Sequence, residues 1–177
     1  EPLLKPQWFV RSERMGARAL AEVESGNLRI QPAWHAKTWS HFLGNLRDWC
    51  ISRQIWWGHR IPAYKIARND GEVVAPGDEW VVATTLEEAR GVAASRLGLA
   101  ADAFSLVQDD DVLDTWFSSG LFPLSALGWP SPNFDQERYP LSLLETGSDI
   151  LFFWVARMVM MCSELGPKGQ LPFSEVF

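Results

Sequence analysis

The sequence predicts an α/β fold with a small inserted α+β segment. Helical and strand-like stretches alternate along its 177 residues. A short apolar run, Leu141 to Leu144, leads through a glycine-containing turn into an amphipathic helix. Upstream, a hairpin signal and a capped helix lie within residues 63–107, a small α+β segment.

The elements follow in order. Ser12 opens a helical stretch with Met15, Ala19, Leu20 and Val23 on one side, and Ser25-Gly26 ends it. Trp39, Phe42, Leu43, Leu46 and Trp49 recur at helical period, which predicts an amphipathic helix over 34–49. Tyr64–Arg68 and Glu72–Ala75 flank Asn69-Asp70-Gly71, a hairpin signal. Trp80–Ala83 reads as another strand. Thr85 to Glu88 is a capping box, and Leu86, Ala89, Val92, Ala93 and Leu97 carry that helix to Gly98. The Pro/Ser-rich stretch 123–132 reads as the longest loop. After Leu141–Leu144, Ile150, Phe153, Trp154, Met158 and Met161 sit at core-facing helical spacing.

Composition excludes several classes. Hydrophobic residues make up 47% and charged residues 21%, too apolar for a disordered tail. Cys50 and Cys162 form neither a disulfide framework nor a metal knuckle, which predicts a reducing compartment. The longest uncharged run, between Asp114 and Asp135, is broken by Pro123, Pro130 and Pro132, so no membrane-spanning helix is expected. The chain opens on Glu1-Pro2 without Met or a targeting signal, and reads as a piece of a longer protein. The net charge of -6 conceals an asymmetry: residues 1–68 carry +6 and residues 69–177 carry -12. A basic, aromatic half suggests a surface that could face phosphates, against the plainer alternative of solvated charge.

Three clusters carry chemistry. Residues 47–62 place Arg47, Arg53 and Arg60 among Trp49, Trp56, Trp57 and His59, types suited to stacking on bases and neutralising phosphates. The alternative is that the indoles are core and the arginines their surface partners. Residues 109–120 hold Asp111 and Asp114, three apart, so one helical turn would put both beside Trp116. Such carboxylates suit an ammonium group, or a glycosidase pair of unknown separation. Residues 141–161 set strand, turn and helix around Gly147 and Asp149. That arrangement opens nucleotide sites at the carboxyl edge of parallel sheets, with Gly147 admitting close backbone approach and Asp149 accepting from ribose hydroxyls. An Asp that only caps its helix is the ordinary outcome of such a turn. His35, His41 and His59 have no Cys partners, so no metal site is expected.

Taken together, RDWCISRQIWWGHRIP, DVLDTWFSSGLFPLSALGWP and TGSDILFFWVARMVMM closely resemble the valyl-tRNA synthetases, class I aminoacyl-tRNA synthetases. Glu1-Pro2 with Gln7-Trp8-Phe9-Val10 resembles the point where that family's chain returns from its editing domain. The resemblance implies a Rossmann-type catalytic domain split by the editing insertion. Residues 1–62 would be the connective segment and the start of the catalytic core, 63–107 a variable α+β insertion, and 108–177 part of the second nucleotide-fold half. Both ATP signature motifs of the family lie outside this stretch, so the chain alone is expected to be inactive.

By the same resemblance, Trp116 and Ile150 would wall the valine side chain, and Asp114 would help hold its α-amino group. Gly147 and Asp149 would meet the adenosine ribose, with Asp111 in support. Trp57 would line the entrance, while Arg53, His59 and Arg60 would approach the tRNA acceptor end. ATP with Mg2+, L-valine, tRNA(Val) and the rest of the synthetase chain are the implied partners, without a membrane, in the cytoplasm or the mitochondrion. Two departures stand out. Ser148 replaces an aromatic, as in the isoleucine enzymes, whose following Gln-His pair is absent here. Tyr64 to Arg68 replaces the cysteine pairs that many relatives use for zinc, so no zinc is expected. The remaining alternatives are an isoleucyl-type synthetase, a Trp-rich carbohydrate-binding module and a catalytically dead scaffold.

Overall fold

The computed structural model describes residues 4–177, so the Glu1-Pro2 junction lies outside the described residues. In chain order the first elements are β1 (Phe9–Val10), α1 (Glu13–Glu24), β2 (Arg29–Ile30), α2 (His35–Gly44) and β3 (Trp49–Cys50). Next come β4 (Ser52–Arg53), β5 (Ala63–Arg68), β6 (Trp80–Val82), α3 (Leu86–Leu97), β7 (Phe104–Gln108) and β8 (Val112–Leu113). The last are α4 (Thr115–Gly120), α5 (Phe122–Ser125), α6 (Ala156–Leu165) and β9 (Glu175–Val176). The chain forms two compact units, one built from residues through Ile51 together with Asp114–Phe177, the other from Ser52–Leu113.

The larger unit is organised around α6, whose Met158, Val159, Met160, Met161 and Cys162 are all buried. α1 and α2 pack into the same core through Ala19, Trp39 and Leu43, as their apolar spacing predicts. Trp39 is fully buried, and its indole N–H donates to the Ala19 carbonyl at 3.2 Å, satisfying its one polar atom. A short parallel sheet flanks this core. β2 pairs with β9, whose neighbouring residues also bridge in parallel to Leu141 and Leu144. Leu141 N–H donates to Pro172 O and Phe177 N–H to Leu144 O, both at 2.9 Å. The run Leu141–Leu144 therefore joins the sheet as bridges, and the helical stretch after it leads to the next parallel strand.

Three expectations in this unit need correction. The helix expected over 34–49 stops at Gly44, and Trp49 lies in β3, paired antiparallel with β1. The stretch 123–132 begins inside α5 before its turns start. The helix expected from Ile150 winds first as a 3-10 turn over Ser148–Ile150 and then as a π-helix over Leu151–Val155. There the Ala156 N–H reaches Leu151 O, five residues back.

The smaller unit is a three-stranded antiparallel sheet, order β6-β5-β7, with α3 closing its core. Thr85 caps α3 by accepting from Glu88 N–H at 3.1 Å, and Gly98 ends it in the left-handed region at φ 64°. The Glu88 carboxylate reaches back to Thr84 rather than to Thr85. Asn69-Asp70-Gly71 does form a turn, but Glu72–Ala75 is not a strand. β5 is the central strand, with β6 on one edge and β7 on the other. Among the described residues no helix is long and apolar enough to cross a membrane.

Candidate functional site

The Asp111/Asp114 segment is not the predicted helical turn: β8 runs extended between them, and each carboxylate is engaged within its own unit. Asp114 sits at the N-terminal boundary of α4, yet its side chain does not cap that helix. Its Oδ2 accepts from the indole N–H of Trp49 at 2.9 Å, and only 6% of the residue is exposed. The Arg157 guanidinium lies over the same indole, 4.3 Å from the ring centroid, and the Phe117 ring is tilted against that indole with centroids 6.0 Å apart. Burial lowers the Arg157 pKa from its ordinary value while Asp114 opposes the shift, so the group stays a cation.

Beyond this buried group, α4 and α5 face the helical entry to α6 across an open apolar pocket of about 450 Å3. Trp116, Ser119 and Phe122 line one side, and Ile150 and Trp154 line the other. Trp154 donates its indole N–H to the Ser119 carbonyl at 3.2 Å. Trp116 stacks on Phe153 with centroids 5.8 Å apart. Two predicted wall residues, Trp116 and Ile150, thus share one pocket, while Asp114 is not among its lining residues. Trp154 was legible as a helix-face residue only; its i, i+4 spacing from Ile150 was the available signal.

A second, smaller pocket of about 110 Å3 lies where the parallel strands end, lined by Gln31, His35, Thr146, Ser148, Leu151 and Phe177 among others. Gly147 and Asp149 flank Ser148 in sequence, but neither is among the residues that line this pocket. Gly147 has φ −68°, so no left-handed backbone requires glycine. A Cβ at that position would stand 2.5 Å from Asp149 Oδ1, so the missing side chain leaves room for the carboxylate. Asp149 is exposed and makes no capping bond at the helix start. Nothing in the local sequence signalled Gln31, directly after β2, or His35, the first residue of α2.

The smaller unit holds the remaining predicted residues. Asp111 is buried and accepts from Gln54 Nε2–H at 2.7 Å. Arg53 lies in β4, opposite Val112. Arg60 donates to the carbonyls of Gln108 and Asp109 and to Asp110 Oδ1 at 3.2 Å, tying its own loop. His59 anchors the same loop through its backbone, its carbonyl accepting from Leu113 N–H at 2.7 Å. Trp56 and Trp57 are 95% and 85% exposed, so the core-aromatic alternative holds for Trp49 and fails for them. Among the described residues no group of three His, Cys, Asp or Glu side chains could hold a metal ion.

The family model for "tRNA synthetases class I (I, L, M and V)" matches residues 1–177. The chain belongs to the class I tRNA synthetases. This synthetase segment is 56% identical to a mouse protein named valine–tRNA ligase, over 183 residues and all of the chain. It is likewise 56% identical to a human protein named valine–tRNA ligase, mitochondrial, over 179 residues, 99% of the chain, and 55% identical to a human protein named valine–tRNA ligase over 183 residues. The segment spans only 14 to 16% of the length of these relatives.

Proposed function

We propose that this segment works within a longer valine–tRNA ligase. That enzyme activates valine with ATP to valyl-adenylate and passes the acyl group to tRNA(Val). The observation that supports this reading is the convergence of Trp116 and Ile150 on one open apolar pocket. In the first step the valine carboxylate attacks the α-phosphate of ATP, accompanied by its Mg2+, and pyrophosphate leaves. In the second, a terminal ribose hydroxyl of the tRNA attacks the activated carbonyl and AMP leaves. Neither step needs a side-chain nucleophile, so positioning and charge stabilisation carry the rate.

In this reading Trp116 and Ile150 bound the valine side chain, joined by Trp154. Asp114 keeps its assignment near the α-amino group, with one carboxylate oxygen already held by Trp49. Gly147 and Asp149 meet the adenosine ribose. The parallel pairing of β2, β9 and the Leu141–Leu144 run supports a Rossmann-type half with its ligand at the carboxyl edge. Trp57 is exposed and offers a ring for stacking, and Arg53, His59 and Arg60 are the candidates for the acceptor end of the tRNA. The compartment is the cytoplasm or the mitochondrion.

The test is amino-acid-dependent ATP–pyrophosphate exchange by the full-length protein carrying this sequence. Valine should support exchange in preference to isoleucine, and the 177-residue chain alone should support none. A full-length protein that exchanges pyrophosphate only with another amino acid overturns the valine assignment.

A further inference from the structure

We propose that Arg157 is a positioning residue for the amino-acid pocket, acting through Trp49 and Asp114 on the helix that carries Trp116. The inference rests on the reading of that pocket given above. Its basis is a continuous physical path. The Arg157 guanidinium stacks on the Trp49 ring at 4.3 Å, and the edge of the same indole donates to Asp114 Oδ2 at 2.9 Å. Asp114 is the boundary residue of α4, the helix that supplies Trp116 and Ser119 to the pocket. The far end of α4 leans on the same arginine: a Cβ on Gly120 would come within 3.3 Å of Arg157 Cβ and 3.0 Å of Met161 Sδ. The guanidinium thus bears on the start of α4 through Trp49 and Asp114, while the backbone and β-carbon of the same residue lie close to its end.

Arg157 is the second residue of α6, which continues from the 3-10 turn ending at Ile150 and the π-helical turn holding Trp154, the two residues of the opposite wall. One residue therefore connects to both walls, through its side chain to the helix of Trp116 and through its backbone to the helical entry that holds Ile150 and Trp154. Stability alone does not account for an arginine here. Its Nη1 is buried and has no hydrogen-bond partner among the described residues, a cost that an aliphatic side chain would avoid. What arginine offers is a planar cation that lies flat on an indole beside a carboxylate. Lysine, a point charge on a flexible stem, cannot hold that geometry.

The experiment uses the full-length protein and its pyrophosphate exchange, with Arg157→Lys, Trp49→Phe and the double variant. Arg157→Lys should raise KM for valine about tenfold, the size of a desolvated cation–π contact, while KM for ATP stays within about twofold. The isoleucine-to-valine ratio should rise with it. Trp49→Phe, which keeps a ring but loses the donor to Asp114, should shift the same parameters. The double variant should be no worse than the more damaging single one, because both break one assembly. An unchanged KM for valine in both single variants would overturn the inference. So would a parallel loss of all activities that tracks a falling melting temperature. Should the parent prefer another amino acid, the valine reading fails, and the same KM shift measured with that amino acid still decides the role of Arg157.

Discussion

The indole N–H of Trp154 donates to the carbonyl oxygen of Ser119 at 3.2 Å, and this bond joins two pocket walls 35 residues apart in sequence. Trp154→Phe keeps the ring and removes the donor. The expected cost is about 0.5–1.5 kcal/mol, read as a lower melting temperature, because one intramolecular bond is lost. With the walls untied, the full-length variant should discriminate less well between valine and isoleucine. Equal discrimination in variant and parent would show that the bond does not set the width of the pocket.

Trp116→Leu tests the other side of the same pocket. The indole stacks on Phe153 and bounds the space beside Ile150. Isoleucine is one methylene larger than valine, and forcing a methylene into a filled space costs roughly 1–3 kcal/mol. The variant should admit isoleucine while losing contact with valine. Threonine should change least, since its volume already fits and an apolar pocket discriminates poorly against an added hydroxyl. Pyrophosphate exchange with the three amino acids, alongside a melting curve, decides. A stable variant with the parental isoleucine-to-valine ratio would remove Trp116 from the pocket.

Asp149→Ala is expected to weaken the use of ATP more than that of valine. The carboxylate is exposed, makes no capping bond, and stands beside the bare backbone of Gly147. If it accepts from the ribose, its loss should cost on the order of 1–3 kcal/mol in ATP-dependent steps. Since it caps nothing, the melting temperature should hardly move. Unchanged KM and turnover for ATP would leave Asp149 without a part in the site.

Cys162 supplies a dependence on pH. It packs with Leu124 and Tyr139, and burial pushes its thiol up to about 12. A thiol in the unfolded chain ionises near pH 8.5, so the folded pKa is the higher one. Its contribution to stability is then fully present below about pH 8.5 and is lost as pH rises toward the folded value. Melting temperature should fall between about pH 9 and 11, and Cys162→Ala should flatten part of that fall. The native thiol should also resist alkylation at pH 8, because only the thiolate reacts. Rapid alkylation without unfolding would contradict the burial.

Much of the fold follows from short stretches of chain. α1 and α3 lie where apolar spacing put them, and α3 carries its Thr85 and Gly98 caps, because caps are satisfied within a few residues. Gly147 and Asp149 stood out in a contiguous strand-turn-helix motif, whereas Ile150 and the wall role of Trp116 came from the resemblance of whole stretches to a family. What failed at that range was pairing. Asn69-Asp70-Gly71 turns as expected, yet β5 takes β6 and β7 as partners and leaves Glu72–Ala75 unpaired.

Trp49 shows why local pattern runs out. Its spacing from Leu46 and Phe42 suits a helix, but the chain places it in a strand beside Phe9 and Val10, where its N–H meets Asp114, 65 residues away. Which indole is core and which is surface was undecidable in a segment holding three of them. Tertiary structure buries Trp49 under Arg157 and leaves Trp56 and Trp57 exposed. Sequence alone determined the elements whose stabilising bonds close within one or two turns, and the residue types at the site. Strand partners, the break at Gly44, the π-helical entry to α6 and the stacking of Arg157 on Trp49 came only from the folded chain. Their energies depend on groups brought together across tens of residues, and the local sequence does not encode that distance.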